Sequence, residues 1–196
     1  MQGAARFRAG ESVILGFAAP ALAESLESML VKGEVALLET KADGRLRQVT
    51  AIGLIHRPAA DVWARLVDFA SYEVWMPQVA DSTVVSASVD AAIVDFSVAV
   101  VGPNVNFRES LVLDAAAHEV RGTWVSGALR GSHWEWRLVP SGSDTIVYRT
   151  LYTNVVDSNW IVRQVEDENH TLEYGINVAT GIVEIRGLKK ALEAGP

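Results

Sequence analysis

Apolar and polar residues alternate along most of this chain, a pattern typical of strands with one buried face. The first two runs are residues 34–40 and 46–56, and the pair Asp43-Gly44 between them favours a tight hairpin turn. Six more strand-like runs follow, at residues 79–89, 91–101, 104–114, 118–127, 131–139 and 144–154. Because the segments between these runs are short, the pattern predicts antiparallel neighbours.

Helical spacing marks the segment 58–76, between the second and third strands. Val62, Leu66 and Phe69 lie at i, i+4 and i+7, so one helix would bring them to a common face. Pro77 then ends a second, shorter helical piece. We therefore predict two short helices here.

The last segment, residues 158–192, also has a helical period. One predicted apolar face consists of Val165, Leu172, Ile176, Ala179 and Val183. A second set widens that surface: Val178, Ile182, Ile185 and Leu192. The segment is long enough to cover the apolar face of a sheet, and no other predicted helix is.

These elements predict an α+β domain at residues 34–192. Its core would be a curved antiparallel sheet of about seven strands wrapped round the long C-terminal helix. A chain of 196 residues favours one domain, with enough length to bury a core and enclose a cavity.

Residues 1–33 are predicted to be an N-terminal extension of this domain. Arg6 and Arg8 precede an apolar run, and Ala21-Leu22-Ala23 has the small-x-small form of a signal cleavage site, which would mean export to the periplasm. The alternative is an amphipathic helix that Pro20 opens and Gly33 ends, with Leu22, Leu26 and Met29 on one face. We favour the helix, and with it a cytoplasmic location.

The order of these motifs is similar to that of a known superfamily. The residues that carry the likeness are Val62-Trp63, Asp68-Phe69, Tyr72, Trp75-Met76-Pro77, the run Trp134-Glu135-Trp136-Arg137-Leu138-Val139-Pro140 and the following Asp144 to Tyr148. Together they resemble the START/polyketide-cyclase superfamily, also called SRPBCC, helix-grip or Bet v 1-like, in its coenzyme Q-binding and cyclase-like branch. The resemblance spans about residues 34–192 and implies a cavity for an apolar small molecule between the sheet and the C-terminal helix.

Strand periodicity selects the residues that would face this cavity. Phe96 and Phe107 fall on the inward register of their strands, and so does Glu109. A carboxylate on an apolar face is costly unless it is paired or hydrated. Glu109 is therefore either a polar anchor with a raised pKa, able to accept a ligand hydroxyl or act as a general acid, or a residue that lies near the sheet rim or pairs with an arginine.

An aromatic wall is predicted on the next strands. Trp134 and Trp136 share one face, and we expect Tyr148 and Tyr152 to line up beside them. The alternative for this group is ordinary core packing against the long helix. Arginine side chains are assigned to the outward register, where Glu119 and Glu135 would pair with them: Arg108, Arg121, Arg137 and Arg149. The complete predicted ligand-binding set is Phe96, Phe107, Glu109, Trp134, Trp136, Tyr148, Tyr152, Trp160, Ile176 and Val183.

Composition excludes several classes of function. The net charge of −7 disfavours binding to nucleic acid or docking on anionic membranes. The chain has no cysteine, so thiolate chemistry, disulfides and Cys-ligated metals are excluded. The sequence contains no run long enough for a transmembrane helix and no phosphate-binding glycine loop. Its four histidines are scattered, so we expect no metal site. We also expect no cofactor, and we expect the protein to be a monomer or a weak dimer.

Three hypotheses for function remain. The first is a non-catalytic carrier of a lipid-like, quinone-like or polyketide-like molecule. The second is an aromatase/cyclase-type enzyme in which Glu109 or a tyrosine moves protons. The third is an adaptor whose aromatic surface binds a protein. The sequence offers no catalytic constellation, which favours the carrier.

Overall fold

The computed structural model describes residues 26–99, 104–127, 129–154 and 171–194. Within these ranges, eight strands form one antiparallel sheet in the spatial order β1-β2-β8-β7-β6-β5-β4-β3. The strands are β1 (Val35–Thr40), β2 (Leu46–Ile55), β3 (Val79–Ala87), β4 (Ala91–Val98), β5 (Val105–Asp114), β6 (Glu119–Gly127), β7 (His133–Ser141) and β8 (Asp144–Tyr152). The helices are α1 (Ala59–Leu66), a 3₁₀ turn (Phe69–Ser71), α2 (Tyr72–Trp75) and α3 (Thr171–Glu193). The predicted fold class is confirmed, with eight strands in place of about seven.

The first hairpin forms where the sequence predicts it. β1 and β2 pair in antiparallel register, Val35 opposite Ile52. Gly44 has φ of 83°, which an L side chain rarely adopts, and the Asp43 carboxylate accepts a hydrogen bond from the backbone N–H of Arg45. The turn chemistry therefore fixes the start of the sheet.

The predicted helix pair is also present. Pro58 precedes α1, and Val62, Leu66 and Phe69 are all buried, as their spacing predicts. The hydroxyl of Tyr72 donates to the Leu66 carbonyl at 2.6 Å, which ties α2 to the end of α1. The 3₁₀ turn and α2 contact β3, whereas α1 contacts β7, β8 and helix α3.

Helix α3 lies directly on β2 and β8. A Cβ added at Gly181 would lie 3.0 Å from Ala51 and from Leu151, and one added at Gly53 would lie 2.5 Å from Ile185. The absence of side chains at these glycines allows the helix backbone to approach the sheet closely. This contact places α3 over one half of the sheet.

The buried face of α3 differs from the predicted one. Its fully covered residues are Glu173, Asn177, Gly181, Ile185 and Leu188. The prediction that Leu172, Ile176, Ala179 and Val183 form the inward face is wrong: Leu172 and Val183 are 37% and 38% exposed, Ala179 is exposed and Ile176 is half-buried. Ile185 of the second predicted set is buried, and Ile182 and Leu192 are partly buried against the core. Val165 lies outside the described residues.

Distant backbone groups explain why polar side chains occupy that face. The Glu173 carboxylate accepts a hydrogen bond from the N–H of Leu46 at 3.1 Å. The Asn177 amide oxygen accepts one from the N–H of Thr153 at 2.7 Å. A buried polar group that is hydrogen-bonded costs little, so these residues join the start of α3 to both strands beneath it.

A helical segment at residues 26–30 covers the opposite face of the sheet. Leu30 is buried there with Ile52, Leu54 and Ile146. Met29 is 45% exposed, so the prediction that Met29 lies on the packed face is wrong. The predictions for residues 1–25, helix or export signal, lie outside the described residues.

Candidate functional site

The inner face of β4 and β5, the side that faces α3 in this sheet, is mainly apolar. Val94 and Phe96 on β4 and Phe107 and Leu111 on β5 are buried, and the rings of Phe96 and Phe107 have centroids 5.9 Å apart. Both phenylalanines therefore lie on the face that the alternation predicts.

Glu109 lies in the middle of this apolar face. Its residue is 2% exposed, and its backbone neighbours across the sheet are Val94 and Trp124. The indole N–H of Trp134 donates to the Glu109 carboxylate at 3.0 Å. The rim position considered from sequence is therefore wrong, and within the described ranges Glu109 forms no ion pair with an arginine.

Burial sets the protonation state of Glu109. Loss of hydration raises the pKa of Glu109 to about 8, although the Trp134 hydrogen bond and the charge of Arg149 act in the opposite direction. The carboxyl group is therefore mostly protonated at neutral pH. In that state it is both a hydrogen-bond donor and a potential general acid.

The position of the Trp134 indole depends on Gly122, the residue opposite it on β6. A Cβ at Gly122 would lie 2.1 Å from Cε2 of the indole. The indole therefore lies flat against the β6 backbone, where its N–H reaches Glu109. Gly122 acts as a positioning residue for this hydrogen bond.

Gly122→Ala is expected to lower the free energy of unfolding by about 1–3 kcal/mol, because the new methyl group overpacks the inner face. Displacement of the indole should also raise the pKa of Glu109 further, since the Trp134 N–H lowers it. Urea denaturation and a titration of the Glu109 carboxyl by NMR would measure the two effects. Gly175→Ala is the matched control, because nothing lies within 4 Å of a Cβ at that helical position. Equal stabilities of the two variants would contradict the role of Gly122.

Arg149 lies on the inner face, opposite Trp136 on β7, so its assignment to the outward register is wrong. Its side chain is 5% exposed, and its Nε donates to the Glu184 carboxylate of α3 at 2.5 Å. The guanidinium carbon lies 4.5 Å from the centroid of the Trp134 ring and 4.7 Å from that of Trp136. Cation–π contact with two indoles and one ion pair thus hold the buried charge.

The two predicted wall tyrosines do not share the face of the tryptophans. Tyr148 is directly opposite Arg137 and Ile52, and the Arg137 guanidinium stacks on its ring at 4.8 Å, on the other side of the sheet. Tyr152 pairs with His133, another residue of that register. The predicted register of β8 is wrong by one residue, and a shift of one residue moves every side chain of a strand to the opposite face of the sheet. The remaining outward arginines are placed as predicted: Arg108 pairs with Asp95, and Arg121 pairs with Glu119 and Glu135.

Three further predicted residues lie outside this cluster or outside the described ranges. Ile176 is half-buried and Val183 is partly exposed on α3. Trp160 lies outside the described residues. The sequence prediction did not include Trp124, which is opposite Glu109 and packs edge-on against Phe107 with ring centroids 5.1 Å apart. Extending the inward register of β5 to its neighbour β6 would have identified it.

Several buried donors on this face have no hydrogen-bond partner in the described part of the chain. They are Nε1 of Trp124, Nε1 of Trp136 and Nη1 of Arg149. An unpaired buried donor costs about 1–3 kcal/mol. The inner face therefore combines apolar surface, one neutral acid and unpaired N–H groups, which defines the candidate site.

The described part of the chain also bears on other classes of function. Across the described ranges, no cluster of three or more His, Cys, Asp or Glu side chains is arranged to hold a metal ion. No helix in those ranges combines the length and apolar character needed to span a bilayer. An open groove of about 340 Å³ lies at the surface beside the Asp95–Arg108 pair, and neither Glu109 nor Arg149 lines it.

An antiparallel sheet curved against a C-terminal helix, with polar groups buried on its inner face, defines a helix-grip protein of the START/SRPBCC class. The chain belongs to the family described as polyketide cyclase/dehydrase and lipid transport, whose model matches residues 55–174. The resemblance predicted from the sequence motifs is confirmed. A comparison with curated protein sequences finds no match.

Solved structures with the same fold are distant in sequence. A STAR-related lipid transfer protein from Xanthomonas axonopodis is 17% identical, with a TM-score of 0.62 over 82% of this chain and 94% of that one. The Zhui aromatase/cyclase from a Streptomyces species is 16% identical, with a TM-score of 0.56 over 76% and 98%. A START superfamily protein from Mycobacterium smegmatis is 15% identical, with a TM-score of 0.55 over 75% and 97%. These likenesses establish the fold.

Proposed function

We propose that this protein binds an apolar small molecule against the inner face of the sheet and carries it. The observation that supports this most directly is the composition of that face. Phe96, Phe107 and Leu111 provide apolar surface, whereas Glu109 and the unpaired N–H groups provide a few fixed polar contacts. Small-molecule sites typically combine these two features.

The surroundings of Glu109 favour binding over catalysis. Its hydrogen-bond partner in the described ranges is the indole N–H of Trp134, which donates a hydrogen bond but does not relay a proton. No nucleophile within the described ranges is hydrogen-bonded to it. A neutral carboxyl group in this position is well suited to hold a hydroxyl or carbonyl oxygen of a ligand.

A saturable change in tryptophan fluorescence on addition of an apolar ligand tests this function. Trp124, Trp134 and Trp136 all lie on the inner face, so a bound aromatic molecule would alter their emission. Native mass spectrometry of protein purified from its own host would identify the resident molecule. No apolar mass adduct and no saturable fluorescence change with a panel of lipids, quinones and polyaromatic ketones would contradict the proposal.

Glu109→Gln separates this function from the alternative one. In a carrier, the change should alter affinity by about fivefold at most, since one neutral hydrogen bond contributes on the order of 1 kcal/mol. The amide keeps an oxygen that accepts the Trp134 N–H, so the fold should persist. Ligand titrations of the variant and of Glu135→Gln, a partly exposed carboxylate on the outer face of β7, would measure the effect.

The alternative function is cyclisation or dehydration of a reactive polyketide-like chain. The raised pKa of Glu109, about 8, favours it, because an acid that is protonated near neutral pH can donate a proton to a ligand oxygen. If this function is correct, Glu109→Gln should abolish turnover while binding persists, because the amide cannot transfer the proton. Unchanged turnover in that variant would remove Glu109 from the chemistry.

A further inference from the structure

Arg149 is the least expected residue of the inner face. It is a buried cation on a central strand, and its guanidinium carbon lies close to the rings of both Trp134 and Trp136. One edge donates to Glu184 through Nε, whereas Nη1 is buried without a hydrogen-bond partner in the described ranges. Burying a charged group with an unused donor is costly, so the arrangement needs an acceptor to offset that cost.

A second unpaired donor lies on the same side of the sheet. Trp136 is directly opposite Arg149, and its Nε1 also has no hydrogen-bond partner in the described part of the chain. The two side chains are held by different strands and by helix α3, so their positions do not depend on one flexible segment. Together they present N–H donors and no acceptor of their own.

Charge determines what kind of acceptor fits. Glu184 neutralises Arg149 in an ion pair whose side chains are 15% and 5% exposed. Glu109, the next carboxyl group on this face, is mostly neutral at neutral pH because burial raises its pKa to about 8. A ligand carboxylate would therefore add an uncompensated negative charge to a desolvated site, whereas a carbonyl oxygen would add none.

We propose that Arg149 and Trp136 form the polar anchor of the ligand site, and that they select an uncharged ligand bearing a carbonyl-type acceptor oxygen over the corresponding carboxylate. This inference rests on the proposed binding function. It adds the class of ligand and the residues that discriminate it. Both donors are covered from solvent in this structure, so a ligand oxygen reaches them by displacing apolar neighbours.

The test uses three naphthalenes of similar shape, substituted at the same ring carbon: the methyl ketone, the isopropyl hydrocarbon and the carboxylate. Heteronuclear NMR of the full-length protein at neutral pH would follow the indole N–H signals and the Arg149 Nε–H signal during each titration. We expect the ketone to bind at least about tenfold more tightly than the hydrocarbon, because its oxygen accepts a hydrogen bond from a charged donor. The carboxylate should bind more weakly than the ketone.

Two variants at the ion pair make the test specific. Arg149→Lys keeps a cation for Glu184 but removes the planar group and Nη1, so the preference for ketone over hydrocarbon should disappear. Glu184→Gln removes the neutralising charge with little change of shape, so the carboxylate should gain affinity relative to the ketone. Arg137→Lys is the matched control, because Arg137 also stacks on an aromatic ring but on the outer face.

Three results would contradict the proposed anchor or its selection of uncharged ligands. Equal affinities for ketone and hydrocarbon, or an Arg149→Lys variant that keeps the preference, would overturn the anchor while leaving the binding function intact. If Arg149→Lys does not fold, an unchanged carboxylate affinity in Glu184→Gln would overturn the charge selection. Failure of all three compounds to bind the native protein would overturn the anchor, whereas the binding function itself is contradicted only if the panel of lipids, quinones and polyaromatic ketones also fails to bind.

Discussion

Trp136→Ala is expected to lower the free energy of unfolding by about 3–5 kcal/mol, the usual cost of removing a large buried aromatic side chain. Trp136 is completely covered, and its ring also stacks on the Arg149 guanidinium. Removal would leave a cavity and expose one face of a buried cation to it. Equilibrium urea denaturation of the two proteins would measure the difference.

Trp63→Ala is a suitable control for this measurement. Trp63 is only half-buried on α1, where its ring meets His118 edge-on, so its loss should cost less. If Trp136→Ala costs under about 1 kcal/mol, the ring is not an essential part of the core. A ligand that restores stability to the variant would then indicate that the ring mainly lines the site.

The second large effect is the pH dependence of stability. The pKa of Glu109 in the folded protein, about 8, lies above its ordinary value of 4.5. Between these values the folded protein retains a proton that the unfolded chain has lost, so the unfolding free energy should fall as pH rises. The decline should begin near pH 4.5, end above pH 8 and amount to a few kcal/mol.

Glu109→Gln should remove this decline, because the amide does not titrate. The variant should therefore be more stable than the native protein above pH 8 and similar to it below pH 4.5. Urea denaturation across that range, with Glu135→Gln as the control, would show whether the slope belongs to Glu109. Parallel curves for all three proteins would contradict the buried, proton-retaining state of Glu109.

Turn residues and alternation predict much of this fold. Asp43-Gly44 marks the first hairpin, and the apolar register of β4, β5 and β7 correctly predicts the inner placement of Phe96, Phe107 and Trp136. In these strands one face is buried and the other is largely exposed, so the period of two is informative.

Strand β8 illustrates where alternation fails. Val147 and Leu151 face the core on one side, while Ile146 packs against Leu30 on the other and Tyr148 lies beside it. Because both faces are covered, apolar residues occur in both registers and the sequence does not identify the inner one. The aromatic side chain of Tyr148 favoured the wrong choice, which also placed Arg149 outside.

The prediction of the buried face of helix α3 is wrong for a different reason. Its buried Glu173 and Asn177 are satisfied by backbone groups at Leu46 and Thr153. Such partners, the first more than a hundred positions away, are not visible in a local pattern. Gly181 has no side chain, so the hydrophobic pattern does not show that it lies on the buried face. Its lack of a Cβ is nevertheless what allows α3 to approach Ala51 closely.

The pairing of β2 with β8 has a consequence for how the protein is made. Ile55 pairs with Thr145, about 90 residues later in the chain. On a ribosome that adds about 5–20 residues per second, the first hairpin therefore waits several seconds for its partner strand. During that interval the unpaired edge of β2 presents backbone N–H and C=O groups that can pair with strands of other chains. Slow codons between β2 and β8 should lengthen this exposure and reduce the yield of soluble protein.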